Sequence, residues 1–590
     1  MITAVHRLLI LTLFIPSLLL SQENQGKFTP DDYKRALWMV TRFYGAQRSG
    51  KGPNWLIMQH DTVAYRTSFT DIDNGKDLSG GWFDCGDHVT FGQTFFYSAY
   101  MLAKAYDMFP TGFHDLYNGW DYSDYVASGN WDMAGGTPDG IPDLLQELKY
   151  ATDWIIKATP DGSTFYYQKG DGDKDHKLWV TAGKMATMPT DEGGDPRSIF
   201  KNPDDGVMAS FAAAALAVMA RIFKKYDSVY TETCLEHAKF AYAYAQSHKE
   251  SSVGSGGYYG AAKSPLMAFI AGASELYRTT GSENYKNDAA GAQDRIQYHN
   301  WGFDYSNMHD LAPLAMATSD IDAENKLDQL KTVFIDQYTT GRNGEGVCTK
   351  GNGDWGALRY PANHAFIAAS WAKEKNDQSL DEFIFAQADY IMGANNAGQS
   401  FIVGFCSDCS KQVHFPHHRN VYLRDDNPDD DAKSQMNIPA RNEQFGYLVG
   451  GTWNSNDYRE SVTDYAMTEG GIDYNAGLIG TLGYIVSKLA PADTAAMVGI
   501  VPHRSRTVHR DKSSMLSIVA GPSGWRITSA AGSVIEEIRL FDYSGRIVRT
   551  LPAGDGAVQL LRKDVPQGIL TLRATLRGGA IQVAHFCTMR

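Results

Sequence analysis

Apolar residues recur at helical spacing through most of residues 28–490, and this pattern limits the fold more than any other feature of the chain. The segment TPDDYKRALWMVTRFYGAQRSG shows how it works. Thr29 can cap a helix, Pro30 suits its first turn, and Asp31 and Asp32 complement the helix dipole. Tyr33, Ala36, Leu37, Val40, Phe43 and Tyr44 then share one face, and Gly45 marks an end. Similar stripes predict helices near 93–107, 142–158, 207–225, 231–247, 264–279, 323–338, 362–373, 379–392 and 473–488. Long connections rich in aromatics, Gly and Asp run between them, and on a helical scaffold such loops usually carry function.

The pattern changes after residue 490. Residues 491–512 read as a linker, and 513–590 as a small all-β module: WRITS, VIEEIRLFD, GRIVRTL, GILTLRATL and AIQVAHF are β-branched runs, with DYSG (542–545) as a turn. Lys and Arg outnumber Asp and Glu in this tail, although the whole chain of 590 residues carries a net charge of −14. That acidic balance argues against a nucleic-acid partner. At the other end, His6 and Arg7 precede an apolar run from Leu8 to Leu20 and then Ser21. Residues 1–21 are therefore expected to be a secretory signal peptide, and no later segment is long enough to span a membrane. The mature protein is expected outside the cell or at its surface.

Six cysteines are too few to build a disulfide framework. Cys406 and Cys409 form a single CxxC, with His414, His417 and His418 close by. A local disulfide or two free thiols is one reading. A structural zinc ion, which takes four ligands, is the other.

The stretch SGGWFDCGDHVTFGQ (79–93) places Asp84 and Asp87 three apart among glycines and aromatics. Asp and Gly favour turns, so a plain loop before a helix fits. So does a carboxylate pair that holds a water between its members and takes a proton from it.

With its flanks, this stretch resembles the GG-aromatic-DAGDH hallmark of glycoside hydrolase family 9, the cellulase family built on an (α/α)6 barrel. AQRSG (46–50), GIPDLLQELKYATDWIIKA (140–158), DKDHKLW (173–179), DWGALRYPANHAF (354–366), DYIMGANNAGQSFIVGF (389–405), FPHHR (415–419) and DYAMTEGGIDYNAGLIG (464–480) extend the resemblance over most of 28–490. The resemblance implies a mainly α catalytic domain and an inverting endo-β-1,4-glucanase. It makes Asp87 the general base, Asp84 its partner in holding water, and Glu469 the general acid. An inverting glycosidase needs a protonated and an ionised carboxyl group on opposite sides of the bond. Asp84 and Asp87 are too close in sequence to flank a sugar, so a donor from elsewhere is required. By itself Glu469 would read as a solvated loop carboxylate.

The resemblance also points to sugar contacts, from the matched motifs and, for Trp301, from the weaker stretch NWGFDYSNMHD. Trp179, Trp301, Trp355 and Tyr360 are candidate aromatic platforms, and His176, Arg359, His417, Arg419 and Tyr474 are candidate polar contacts. Core packing is the alternative for any one aromatic. Three departures from the family pattern stand out. Cys85 replaces an alanine, Glu460 an aspartate, and Gly471 a small residue such as alanine. In YYGAAKSPLMAF (258–269), Ser264 and Pro265 occupy the place of an Asp-Glu pair that helps bind calcium in many members, so that site is expected to be lost and no cofactor is required. The tail resembles the sorting domains of type IX-secreted bacterial proteins, which would make secretion machinery a partner; a small glycan-binding sandwich is the competing reading. Mixed-linkage glucan, xyloglucan or chito-oligosaccharides are alternative substrates. A non-catalytic glycan-binding protein is the remaining rival.

Overall fold

The computed structural model describes residues 26–49, 71–116, 140–405, 409–419 and 445–494, and the strand segments 516–521, 524–529, 535–541, 547–554, 558–561, 569–576 and 581–587. The expected leader, most of the linker, Cys406 and the DYSG turn lie outside the described residues. The chain divides into two compact units, Met1–Met497 and Val498–Arg590. Among the described residues, no helix is long and apolar enough to cross a membrane.

The larger unit is an (α/α)6 barrel. Six inner helices touch their neighbours in a closed ring: Gly92–Met108, Gly206–Ile222, Pro265–Thr280, Leu311–Thr318, Arg359–Lys375, Ile472–Leu489, and back to Gly92–Met108. Along the chain these alternate with outer ones, namely Pro30–Ala46, Asp143–Ala158, Ser228–His248, Glu283–Gln293, the run from Ala323 to Thr340, and Asp381–Met392.

Local chemistry explains the ends and the closeness. Thr29 caps as expected and forms a capping box with Asp32, each side chain accepting from the other's backbone N–H at 3.2 Å. Asp205 caps Gly206–Ile222 by accepting from Val207 N and Met208 N at 2.8 and 3.0 Å. Inner helices are buried nearly all round, as a doubly covered ring requires. Gly477 lets Ile472–Leu489 meet Arg359–Lys375, because a Cβ there would lie 2.8 Å from the Asn363 Cα.

Two of the barrel's helices are missing from the sequence reading. Leu311–Thr318 is short, buried on all sides and carries Pro313, so it has no stripe; Glu283–Gln293 is polar with only Ala289 and Ala292 buried. The predicted 323–338 helix is a run of Ala323–Gln329, a π-helical Leu330–Ile335 and Asp336–Thr340.

Three neighbouring inner helices share one buried charge cluster. Glu275 accepts from Lys104 Nζ at 2.8 Å, from the Tyr100 hydroxyl at 3.0 Å and from Arg221, which also pairs with Asp107 at 2.8 Å. Lys104 and Glu275 are fully buried. Glu275→Leu should therefore strand Lys104 without its carboxylate and destabilise the barrel by about 3–5 kcal/mol, the usual cost of breaking a buried pair. Urea unfolding checks this; a midpoint equal to that of the parent would refute it.

In the smaller unit, Ile581–Cys587, Ile569–Leu576, Ile535–Phe541 and Ile547–Gly554 form a four-stranded antiparallel sheet in that order. Leu516–Gly521, Gly524–Ser529 and Val558–Leu561 form a second, three-stranded one. Ile527, Val558 and Leu560 pack with Ile535, Ile538, Leu540, Leu572 and Ala574, so both sheets contribute to one apolar core. Ile535 breaks the alternation of Ile538 and Leu540; a bulge between Thr575 and Leu576 restores its inward direction. The first and fifth strands in chain order, Leu516–Gly521 and Val558–Leu561, escaped the sequence reading, being short or adjacent to Gly and Pro.

Candidate active site

The turn carrying Asp84 and Asp87 leads into the helix Gly92–Met108. Its backbone closes on itself through Asp84 N–H to Val89 O at 3.0 Å and Val89 N–H to Asp87 Oδ1 at 3.1 Å. Gly86 is needed for a close approach: a Cβ there would sit 2.7 Å from the His417 carbonyl oxygen. That contact draws the FPHHR stretch onto the turn. Arg419 N–H donates to Gly86 O, and Ile472 N–H donates to Asp84 O at 3.0 Å. The chain near 469–472 is thus stitched to the chain near 84–87.

Asp84 and Asp87 are buried, with 1% and 3% of their surface exposed. One Asp84 oxygen accepts from the Thr94 hydroxyl and the other from the Tyr259 hydroxyl. Burial, then Asp87, then Asp473 push Asp84 well above the usual carboxylate range. Burial and the charge of Asp175 push Asp87 up as well, against the pull of Arg419. Asp87 also faces His176, whose Nε2 lies 3.4 Å from Asp87 Oδ2. Burial and Arg419 depress His176, favouring its neutral form.

Glu469 ends the short helix Tyr465–Thr468, and its carbonyl accepts from Gly450 N–H at 2.7 Å. Burial raises its carboxyl to about 7, while hydrogen bonds from the Cys85 thiol and the Gly86 N–H oppose the rise. Three carboxyl groups therefore meet in one place, each with a raised proton affinity, as acid–base sites require. The thiol of Cys85 and carboxylate oxygens of Asp84 and Asp87 lie within 4.8 Å of one another, as do ligand atoms of Asp87, Asp175 and His176. Both Asp84 oxygens already accept from hydroxyls, and Asp175 is held by Arg419.

The other expected residues divide into two sets. Arg419 donates to Asp175 at 2.6 Å and lies over Trp179 at 5.8 Å; its Nη1 and the Trp179 Nε1 are buried without partners among the described residues. Burial would raise Asp175, but Arg419, His88 and His176 together hold it at about 2. His417 packs edge-on against Trp179 with centroids 4.7 Å apart, bonds the Val462 carbonyl through Nδ1 at 2.6 Å, and is lowered by burial to about 4. The second set surrounds Trp355, which is 42% exposed and packs on Tyr465 at 4.9 Å. These two line a cavity of about 540 Å³ with Arg459, Ser461, Thr463, Asp464 and Ala466, directly before Glu469 in sequence. Trp301 is 59% exposed with Lys263 at 4.6 Å from its ring.

Tyr360 differs from its expected role as an open platform. It is buried, and its hydroxyl donates to Asp304 at 2.7 Å. Arg359 and Tyr474 are likewise buried: Arg359 pairs with Asp473 at 2.7 Å and lies over the Tyr474 ring at 4.4 Å. Glu460 does more than fill an aspartate's place. It accepts from the His414 and Phe415 N–H groups and so anchors the FPHHR stretch. Cys409 is disulfide-bonded, which removes the thiolate that zinc would need. Ser264 and Pro265 open the helix Pro265–Thr280, bringing one hydroxyl where calcium needs several oxygens.

Sequence reasoning missed Thr94, Tyr259, Asp175, Asp473 and Tyr465. Asp175 and Asp473 lie inside quoted motifs, DKDHKLW and DYNAG, and their proximity to charged neighbours was the available signal.

Comparison with known proteins completes the picture. The profile of Glycosyl hydrolase family 9 matches residues 33–482. Endoglucanase A of Fibrobacter succinogenes is 37% identical over 409 residues, covering 67% of this chain and 88% of that protein. Endoglucanase B of Cellulomonas fimi is 30% identical over 486 residues, covering 78% of this chain but 42% of that longer protein. Among solved structures, the endoglucanase of the termite Nasutitermes takasagoensis superposes with a TM-score of 0.63 at 28% identity, covering 78% of this chain and 99% of its own. A cellulase of C. cellulolyticum, solved in complex with cellobiose, gives 0.61 at 29% identity with the same coverage.

Proposed function

The chain belongs to glycosyl hydrolase family 9 and is a cellulase-type glycoside hydrolase; on that premise we propose that it is a secreted endo-β-1,4-glucanase that inverts the anomeric centre. Asp87 is the general base, Asp84 helps hold the water, and Glu469 is the general acid. The observation that carries this reading is the meeting of a buried aspartate pair with a glutamate raised to about 7, the two stretches of chain being joined by the Ile472–Asp84 backbone hydrogen bond.

In this scheme the β-glucan lies with one sugar on the Trp355–Tyr465 side and another toward Trp179, His417 and Arg419. Water beside Asp87 attacks the anomeric carbon as Asp87 takes its proton. Glu469 delivers a proton to the glycosidic oxygen as the carbon–oxygen bond breaks. The Arg419–Asp175 pair sets the charge around Asp87, and neutral His176 and His417 hydrogen-bond without adding charge. None of these steps routes through a metal, and the donors at 258–269 do not suit calcium. The C-terminal sandwich, whose resemblance is to sorting domains, is proposed to direct export or surface retention.

Reducing-sugar release from carboxymethyl-cellulose, barley glucan and cello-oligosaccharides tests the activity. Proton NMR of fresh product tests the stereochemistry, and the α-anomer is expected first. An initial β-anomer would mean direct attack by a carboxylate. Absence of hydrolysis on every β-glucan would favour a binding protein.

A further inference from the structure

We propose that Arg197 is a positioning residue for the general base: it holds the peptide unit between His88 and Val89, whose N–H group orients the Asp87 carboxylate. This rests on the reading of Asp87 as base.

A trans peptide unit points its C=O and its N–H in opposite directions. Here both ends are taken. Arg197 Nη1 donates to the His88 carbonyl oxygen at 2.5 Å, and the Val89 N–H on the far side donates to Asp87 Oδ1 at 3.1 Å. The His88 N–H is held as well, by Asp175 Oδ2 at 3.3 Å. The residue after the base is thus fixed at both backbone groups by buried charged side chains. Moving the guanidinium would turn the peptide plane, and the Asp87 carboxylate with it. Its charge also polarises the carbonyl, which strengthens the N–H as a donor.

Arg197 is itself built into place. Its Nε and Nη2 donate to the two oxygens of Asp71 at 3.1 and 3.4 Å, and its backbone N–H donates to Asp195 Oδ1 at 2.7 Å. Asp71 also accepts from Lys169 Nζ at 3.0 Å. Burial would raise Asp71, but Lys169 and Arg197 together hold it at about 2, so it stays ionised between its two cations. Lys169 in turn donates to Gly80 O, and its backbone pairs with Thr90 in both directions, at 2.9 and 3.2 Å. One buried cluster therefore grips the catalytic turn at its start, at its end and beside its base. Gly170 leaves room for it: a Cβ there would lie 2.7 Å from Arg197 Nη1. The Arg197 backbone is left-handed, with φ +54°, a conformation that is rare outside glycine and that clusters at functional sites.

The titratable and charged groups facing Asp87 are Asp84, Cys85 and Glu469, Asp175 and His176, Tyr258, and Arg419. Burial, Asp175 and Glu469 raise Asp87, while Arg419 and the Val89 N–H favour its ionised form. Loss of Arg197 should loosen the Val89 bond and make Asp87 harder to ionise.

The test uses the full-length enzyme with Arg197→Met and Arg197→Lys, on a cello-oligosaccharide and on a dinitrophenyl cellobioside. In Arg197→Met, Asp71 keeps Lys169, so the fold should hold. There kcat should fall about 10–100-fold, because small displacements of a reacting group are costly. KM should stay within about twofold of the parent. The loss should be equal on both substrates, since the base acts whatever the leaving group. The acidic limb of the kcat–pH profile should move up by about 0.5 unit. Arg197→Lys should recover part of the rate, its single ammonium reaching Asp71 or His88 O but not both; where the methionine variant does not fold, the lysine variant should show the same pattern with a loss of about 3–10-fold. The deciding arm places each substitution in Asp87→Asn and adds azide, which attacks without deprotonation. The cost of changing Arg197 should there shrink to within about twofold. An undiminished cost in the azide reaction would mean that Arg197 serves the fold, the acid or sugar binding, and would overturn the proposal. So would parent kcat in both variants, or an acidic limb that stays in place. If azide fails to restore Asp87→Asn, the base assignment falls and the role of Arg197 with it. If azide restores it while both Arg197 variants turn over like the parent, only the role of Arg197 fails.

Discussion

Glu469→Gln is expected to lower kcat on unactivated β-glucan by about 10²–10⁴-fold while KM stays near that of the parent. Glutamine keeps the shape and can still occupy the place beside Cys85 and Gly86, so binding should persist. What disappears is the proton. Burial raises Glu469 from an ordinary glutamate value to about 7, so the group remains an acid up to that pH. Activity of the parent should therefore fall as pH rises through about 7, because the carboxylate that forms has nothing to donate. That limb should vanish in the variant. A dinitrophenyl cellobioside, whose activated leaving group departs without protonation, should recover most of the lost rate. Near-parent turnover on unactivated substrate would exclude Glu469 as the acid.

The residues that announced this site in the sequence are those whose chemistry is local. Asp84 and Asp87 stand three apart in one turn, and Glu469 sits in a motif with Asp473 and Tyr474. Thr94 and Tyr259 were silent because a hydroxyl that meets Asp84 from 10 or 175 residues away leaves no spacing to read. Tyr360 failed for the converse reason. An aromatic in a sugar-binding motif reads as a platform, yet Asp304 takes its hydroxyl and the ring turns inward. The barrel was legible where a helix was long and apolar enough to show its pattern, as Pro30–Ala46 is. Leu311–Thr318 is covered on all sides, so no periodicity survives in its sequence.

Asp87→Asn should be as damaging as loss of the acid, about 10²–10⁴-fold in kcat, but with a different signature. The base acts on water, and water attacks whatever the leaving group. The dinitrophenyl substrate should therefore not rescue Asp87→Asn, although it rescues Glu469→Gln. A small anion such as azide, entering where the water stood, can attack without deprotonation; it should restore turnover and give an α-linked glycosyl azide. Asp84 is the poorer base, since the Thr94 and Tyr259 hydroxyls each donate to one of its oxygens and reduce its pull on a further proton, while a remaining lone pair can still hold the water. The surroundings support the assignment as well: Arg419, itself fixed by Asp175, is the cation that favours ionised Asp87 against burial and its acidic neighbours. Recovery of Asp87→Asn on the dinitrophenyl substrate would place Asp87 on the leaving-group side and reverse the roles. A β-linked azide product would show attack from the opposite face, and the water could not then lie between Asp84 and Asp87.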